Sequence, residues 1–149
     1  MASNMASDKI FVDTSVIIAA LLSPTGGSSY LLETYRETVD FLINEHILKE
    51  TSRLLTDKFA GDLTAEDFFR LAKSIKLKVV TNPPSRTLKT LEGIIEKDDR
   101  AILVSAFEQA DYLLTLDNHF FSEAVLKCAL ILGLRILKPK DFIELHRVD

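Results

Sequence analysis

The stretch KIFVDTSVII sets one carboxylate, Asp13, inside an apolar run, with only Thr14 and Ser15 before the hydrophobic residues resume. An acid in such surroundings is costly unless something pairs with it or it binds a cation. Three more acids hold comparable positions: Glu50 in INEHILKETSRLL, Asp99 in EKDDRAILVSAF and Asp117 in YLLTLDNHFF. Four carboxylates converging from distant positions would repel strongly unless a cation joined them. Hard oxygen ligands of this kind suit Mg²⁺ or Mn²⁺. The chemistry such sites usually perform is phosphoryl transfer, with the metal activating water and stabilising the leaving oxygen. The hydroxyls of Ser15 and Thr115, one or two residues from Asp13 and Asp117, could orient a metal ligand or the water. Each acid alone also fits a structural role. Asp13 before Thr and Ser fits an Asx-turn, Asp98 and Asp99 fit a helix cap, Asp117 with Asn118 fits a turn, and Glu50 fits a solvated helix face.

Short apolar strands alternating with helices must position these groups. KIFVD and VDFLIN (39–44) read as strands, followed by LKVV (77–80), YLLTL (112–116) and LRIL. Between them the pattern predicts helices over VIIAALL, 28–37, 45–57, 64–75 and from Asp98 or Asp99 to Gln109, with a weaker helical segment over 85–96. Thr64 with Asp67 has the spacing of a helix N-cap, and Gly133 closes the helix in SEAVLKCALIL. PKDFIELH reads as a closing helix turn. This alternation implies an α/β domain around a central, mostly parallel sheet, where function gathers at the carboxyl ends of the strands. Asp13 and Asp117 fall on that edge, and Asp99 opens the helix leading to the fourth strand. At about 100° per residue, Glu50 lies about 40° from Leu54, on the border of its helix's apolar stripe.

The rest of the composition narrows the classes. The 149 residues are 47% hydrophobic and 27% charged, enough for one domain with a real core. Residues 1–8 read as an N-terminal extension and residues 9–149 as the domain. No apolar run reaches the roughly 18 residues of a membrane helix. The single cysteine, Cys128, lies in an apolar stretch, which fits a buried thiol in a reducing, cytoplasmic compartment. The net charge of −4 and pI near 5.4 argue against a broad basic face that coats duplex nucleic acid, but not against a nuclease whose metal supplies positive charge. Lys97 and Arg100, with Arg86 and Lys89, cluster near Asp99 and could contact RNA phosphates; a solvated helix surface explains them equally well.

These residues resemble the PIN-domain family, whose members include metal-dependent ribonucleases and VapC-like toxins. VDTSVIIAALLSPTGGSSYLLE is similar to the family's opening strand ending in Asp, then Thr and Ser or Asn. INEHILKETSRLL resembles its second motif, with Glu50 as the matching acid. DDRAILVSAFEQADYLLTLD is similar to the third and fourth motifs, matching Asp99 and a T-x-D at Thr115 and Asp117. RILKPKDFIEL resembles the closing strand and proline turn, so the likeness runs from about Lys9 to Leu145. The resemblance implies a three-layer α/β/α fold with a parallel sheet of order 3-2-1-4-5, and cleavage of single-stranded RNA with Mg²⁺ or Mn²⁺. It further implies the toxin component of a toxin–antitoxin pair, with a small cognate antitoxin as protein partner, no membrane association, and a homodimer formed through the early helices.

The sequence also departs from the family. Members often carry a second acid two residues after the T-x-D acid, where this chain has His119, and residues 120–133 form a longer segment before the last strand. Two rival readings remain. One is a catalytically inactive PIN-like module that binds RNA or protein. The other is a receiver domain, prompted by the Lys-Pro pair in LKPKDF, but that family needs adjacent acids after strand 1 and an Asp ending the third strand, and neither is present.

Overall fold

A computed structural model describes residues 7–147. Residues 1–6, most of the expected extension, lie outside the described residues, and Asp8, assigned to that extension, instead opens the first strand. The strands are β1 (Asp8–Val12), β2 (Val39–Asn44), β3 (Lys78–Val80), β4 (Tyr112–Leu114) and β5 (Arg135–Leu137). The helices are α1 (Thr14–Leu22), α2 (Gly27–Tyr35), α3 (Glu45–Thr56), α4 (Ala65–Ser74), α5 (Ser85–Leu88), α6 (Lys97–Gln109), α7 (Glu123–Ile131) and α8 (Pro139–His146).

The five strands form one parallel sheet in the order β3-β2-β1-β4-β5, with helices on both faces. Parallel strands covered on both sides are continuously apolar, which is why Ile10, Phe11 and Val12 in β1 and Phe41, Leu42 and Ile43 in β2 are all buried. Phe11 pairs with Leu42 on one side and Leu113 on the other, so β1 lies at the centre. The chain leaves β1 towards β2 on one side and returns beside it through β4 on the other. This makes the β1/β4 boundary the topological switch point, where the carboxyl ends open a crevice.

The helices follow from their patterns. Helix α1 is apolar nearly all round, and Val16, Ile17, Ile18 and Ala20 are buried within this chain. Thr64 and Asp67 form the expected capping box: the Asp67 amide donates to the Thr64 hydroxyl and the Thr64 amide to the Asp67 carboxylate. Gly133 adopts φ +78°, the left-handed backbone that ends α7. Two expectations differ in extent. The 85–96 segment is helical only in α5 and a 3-10 turn over Lys89–Leu91 before the chain turns at Gly93. The C-terminal PKDFIELH forms a full helix, α8, rather than a single turn, because Phe142 is buried against Tyr35 and Tyr112 and stacks on His146 at 4.0 Å.

Candidate active site

The switch-point crevice brings together all four acids singled out in the sequence. Asp13, Glu50, Asp99 and Asp117 line one cleft of about 350 Å³ together with Ser15, Arg53, Lys58 and Phe59. Each acid arrives on a different element. Asp13 follows β1 and caps α1, Glu50 lies midway along α3, Asp99 sits in the first turn of α6, and Asp117 follows β4.

Asp13 is the most enclosed, with 4% of its surface exposed. Its Oδ2 accepts hydrogen bonds from the hydroxyls of Thr115 and Ser15, both at 2.8 Å. Those hydroxyls are themselves fixed. Ser15 Oγ accepts the Leu116 amide and Thr115 Oγ1 accepts the Asp117 amide, each at 3.0 Å. The Asp13 amide donates to the Leu114 carbonyl, so backbone and side chains together tie the end of β1 to the end of β4. Ser15 and Thr115, expected to orient a metal ligand or the water, both bond to Asp13 here. Burial pushes the Asp13 carboxyl up to about 6, against the hydroxyl hydrogen bonds that lower it, and the Glu50 carboxylate adds to the rise.

The opposite side of the cleft is more open. Asp99 is half-buried, and its carboxyl is also raised, first by burial and then by the Asp117 carboxylate, with His119 opposing. His119 Nδ1 lies 3.4 Å from Asp99 Oδ2 and 3.6 Å from Asp117 Oδ1, and the His119 amide donates to Asp117 Oδ1 at 2.9 Å. Ligand atoms of Asp99, Asp117 and His119 all fall within 4.8 Å of one another. His119, which stands where the family often carries a second acid, is exposed, yet its ring is drawn in between two of the acids.

Asn44 is the residue that sequence reasoning missed. Fully buried at the end of β2, its Oδ1 accepts the Ile47 amide and caps α3. Its Nδ2 donates to the Ala101 carbonyl at 3.1 Å and the Ser105 hydroxyl at 2.8 Å, both in α6. One amide group thus sets the helix of Glu50 against the helix of Asp99. The available signal was a polar residue closing an apolar strand just before a helix, the same pattern as Asp13. Two proposed RNA contacts fall elsewhere. Arg100 donates its Nε–H to the Ile95 carbonyl and lines a neighbouring cavity with His119, while Lys97 is exposed at the start of α6.

The donor set fits a hard divalent cation. Four carboxylates share the cleft, and an imidazole beside two of them is compatible with Mn²⁺ as well as with Mg²⁺ holding its waters. Similarity to known proteins agrees with this architecture. Residues 9–119 match the family model for the PIN domain. The chain resembles the crystal structure of VapBC2 from Rickettsia felis bound to a DNA fragment from their promoter, with TM-score 0.61 and 16% identity, covering 87% of this chain and 98% of that one. It also resembles PAE2754 from Pyrobaculum aerophilum, with TM-score 0.64 and 16% identity over 93% of this chain and 96% of the other. No curated protein sequence matches it. With three quarters of its length inside the family's pattern and the strand order that goes with it, this chain belongs to the PIN-domain family.

Proposed function

We propose that this protein is a divalent-metal-dependent endoribonuclease that hydrolyses phosphodiester bonds in single-stranded RNA, acting as the toxin of a toxin–antitoxin pair. PIN domains are generally nucleases, which makes hydrolysis the starting expectation. The observation that carries the reading is the convergence of Asp13, Glu50, Asp99 and Asp117 on one cleft, with Asp13 held at about 6. A fold of this size has no structural reason to collect four carboxylates in one cleft, where burial disfavours the charge of two of them, Asp13 and Asp99. The likeness to VapBC2, a complex, supports an antitoxin partner.

In this reading Asp13, Asp99 and Asp117 hold Mg²⁺ or Mn²⁺, with Glu50 across the cleft. When bound, the ion supplies a Lewis acid at the scissile phosphate and lowers the pKa of water. The protein's own part is orientation. The Ser15 and Thr115 hydroxyls both bind Oδ2 of Asp13 and neither binds Oδ1, so the carboxylate has one fixed presentation. Asn44 fixes the separation of Glu50 and Asp99 by clamping their helices. Glu50, half-buried at the rim, is placed to take a proton from water or to complete the ligand set.

The homodimer proposed for the early helices draws little support from packing, because α1 is buried within its own chain and only Leu22 and Tyr30 of that region are exposed large hydrophobics. Light scattering on the purified chain reads the oligomeric state directly. The functional test is cleavage of end-labelled single-stranded and hairpin RNAs with Mn²⁺ or Mg²⁺, comparing wild type with Asp99→Asn. Metal-dependent cutting that disappears in the variant is the expected result. Binding of Mn²⁺ without cutting of any RNA would favour the inactive binding module instead.

A further inference from the structure

A nuclease of net charge −4 whose cleft is lined by four acids must still hold a polyanion, so its cations have to be local. The outer face of α3 meets this need. A second groove of about 610 Å³ runs between α3 and the start of α6, lined by His46, Lys49, Glu50, Arg53 and Asp98 among others. Glu50 and Arg53 line both this groove and the acidic cleft, so the two are continuous. Lys49 and Arg53 lie one helical turn apart on one face. Lys58, beyond the end of α3, continues the cationic side into the acidic cleft, its Nζ 5.5 Å above the Phe59 ring.

All three cations are exposed, and among the described residues none has a carboxylate within 4.0 Å, not even the neighbouring Asp98. Elsewhere on the surface, Arg70 pairs with Glu66 and Asp67, Lys78 with Asp40, and Lys127 with Glu123. The cations of α3 are therefore available for an external anion. The other flank of the cleft offers less, because Arg100 gives its Nε–H to the Ile95 carbonyl and shares its cavity with Glu96.

We infer that the α3 groove carries the flanking phosphates of the RNA strand, with Lys49 and Arg53 as backbone contacts and Lys58 as a third beside the scissile position. This rests on the ribonuclease reading above and gives its substrate a path: from the acids, over the Glu50–Arg53 rim, along α3. Contacts of this type position a strand without reading its sequence. Phe59 beside Lys58 adds an aromatic face of the kind on which an unpaired base stacks.

The test is fluorescence anisotropy of a fluorescein-labelled oligouridine, measured in an Asp99→Asn background so that nothing is cut. Lys49→Ala/Arg53→Ala is expected to weaken binding roughly a hundredfold, about tenfold for each cation removed. The salt dependence of log K should also flatten by about 1.4, about 0.7 for each single-strand phosphate left without its cation. Arg53→Lys should keep the slope. Lys73→Ala, on α4 at the other end of the sheet, removes one positive charge and should change neither quantity. In the cutting chain the double variant should raise KM and spare kcat. If the double variant binds with the affinity and salt slope of Lys73→Ala, the groove is not the RNA path. A wild type that cuts RNA while the double variant keeps its KM overturns the groove alone. A wild type that binds oligouridine through this groove but cuts no RNA overturns the nuclease reading and leaves the groove standing.

Discussion

The two walls of the acidic cleft are built to different standards. On the β1/β4 wall, Asp13 is buried, its Oδ2 is held by two hydroxyls, and each hydroxyl is held in turn by a backbone amide. On the more open side, Asp99 at the start of α6 and the Asp117 carboxylate after β4 face each other across an exposed histidine at 3.4 and 3.6 Å. One wall fixes a single ligand geometry before anything binds; the other is able to adjust around what arrives. The difference teaches where each kind of damage should register: on the rigid wall in both stability and activity, on the open wall mainly in activity.

The largest effect should come from removing a carboxylate on either wall. Asp13→Asn and Asp99→Asn are each expected to lower RNA cleavage by at least about a hundredfold, since even changes to the groups behind the ligands of a metal site cost up to that much. Both variants should fold. A variant that cuts like wild type would remove its acid from the proposed site.

Next in size is the pH effect of Asp13 on the rigid wall. Asp13 titrates at 3.8 in the unfolded chain and at about 6 in the folded one, so on raising the pH the unfolded state loses this proton first. The stability tied to Asp13 is therefore full below about pH 4, falls between about pH 4 and 6, and stays low above, a loss of about 3 kcal/mol. Urea titrations in a metal chelator should show this as the difference between wild type and Asp13→Asn, the variant gaining on wild type as the pH rises. Mn²⁺ should raise the melting temperature of wild type more at pH 7 than at pH 5, because only the ionised carboxyl binds it. A flat difference curve would mean that Asp13 is not held as the geometry indicates.

Asn44→Ala sharpens the comparison by loosening the open wall from behind. It strips α3 of its cap and α6 of two hydrogen bonds, leaving the buried Ile47 amide without a partner, at an expected cost of about 2 kcal/mol. Cleavage measured well below the melting temperature should fall further than stability alone explains, because Glu50 and Asp99 lose their common reference. The smallest effect belongs to His119→Ala. The ring is exposed, and such contacts contribute about 0–1 kcal/mol. A few-fold change in cleavage with Mn²⁺ is expected, and loss on the scale of Asp99→Asn would make His119 a principal ligand.

Much of this was legible in the sequence wherever the determining contacts are local. The apolar runs of β1 and β2, the Thr64–Asp67 cap and the glycine after α7 each declare themselves within a few residues. Asp13, Asp99 and Asp117 were legible as a group because strand ends and helix starts in an α/β alternation have only one edge on which to meet, and Glu50 through its place on the border of its helix's apolar stripe. What escaped depends on partners far along the chain. Asn44 finds Ala101 and Ser105, 57 and 61 residues away, and His119 is turned inward by acids on two different elements. The α3 groove escaped for the same reason: Lys49 and Arg53 line it together with Asp98, which lies 49 and 45 residues further along the chain. The break of the 85–96 segment and the full length of α8 likewise reflect packing, in the second case of Phe142 against Tyr35 and Tyr112.

The bond between Thr115 and Asp13 joins positions 102 residues apart. Contacts of that span close the largest loops and belong to the slow end of folding. During synthesis, the first three strands and their acids leave the ribosome well before β4 does, and at about 5–20 residues per second the interval is several seconds. Until residue 99 is made the chain carries Asp13 and Glu50 but neither Asp99 nor Asp117, and until β4 follows the β4 side of β1 is an open edge. The proposed cutting activity is thereby withheld until β4 and Asp117 have been made, and a ribosome that stalls before them releases a fragment with no complete site.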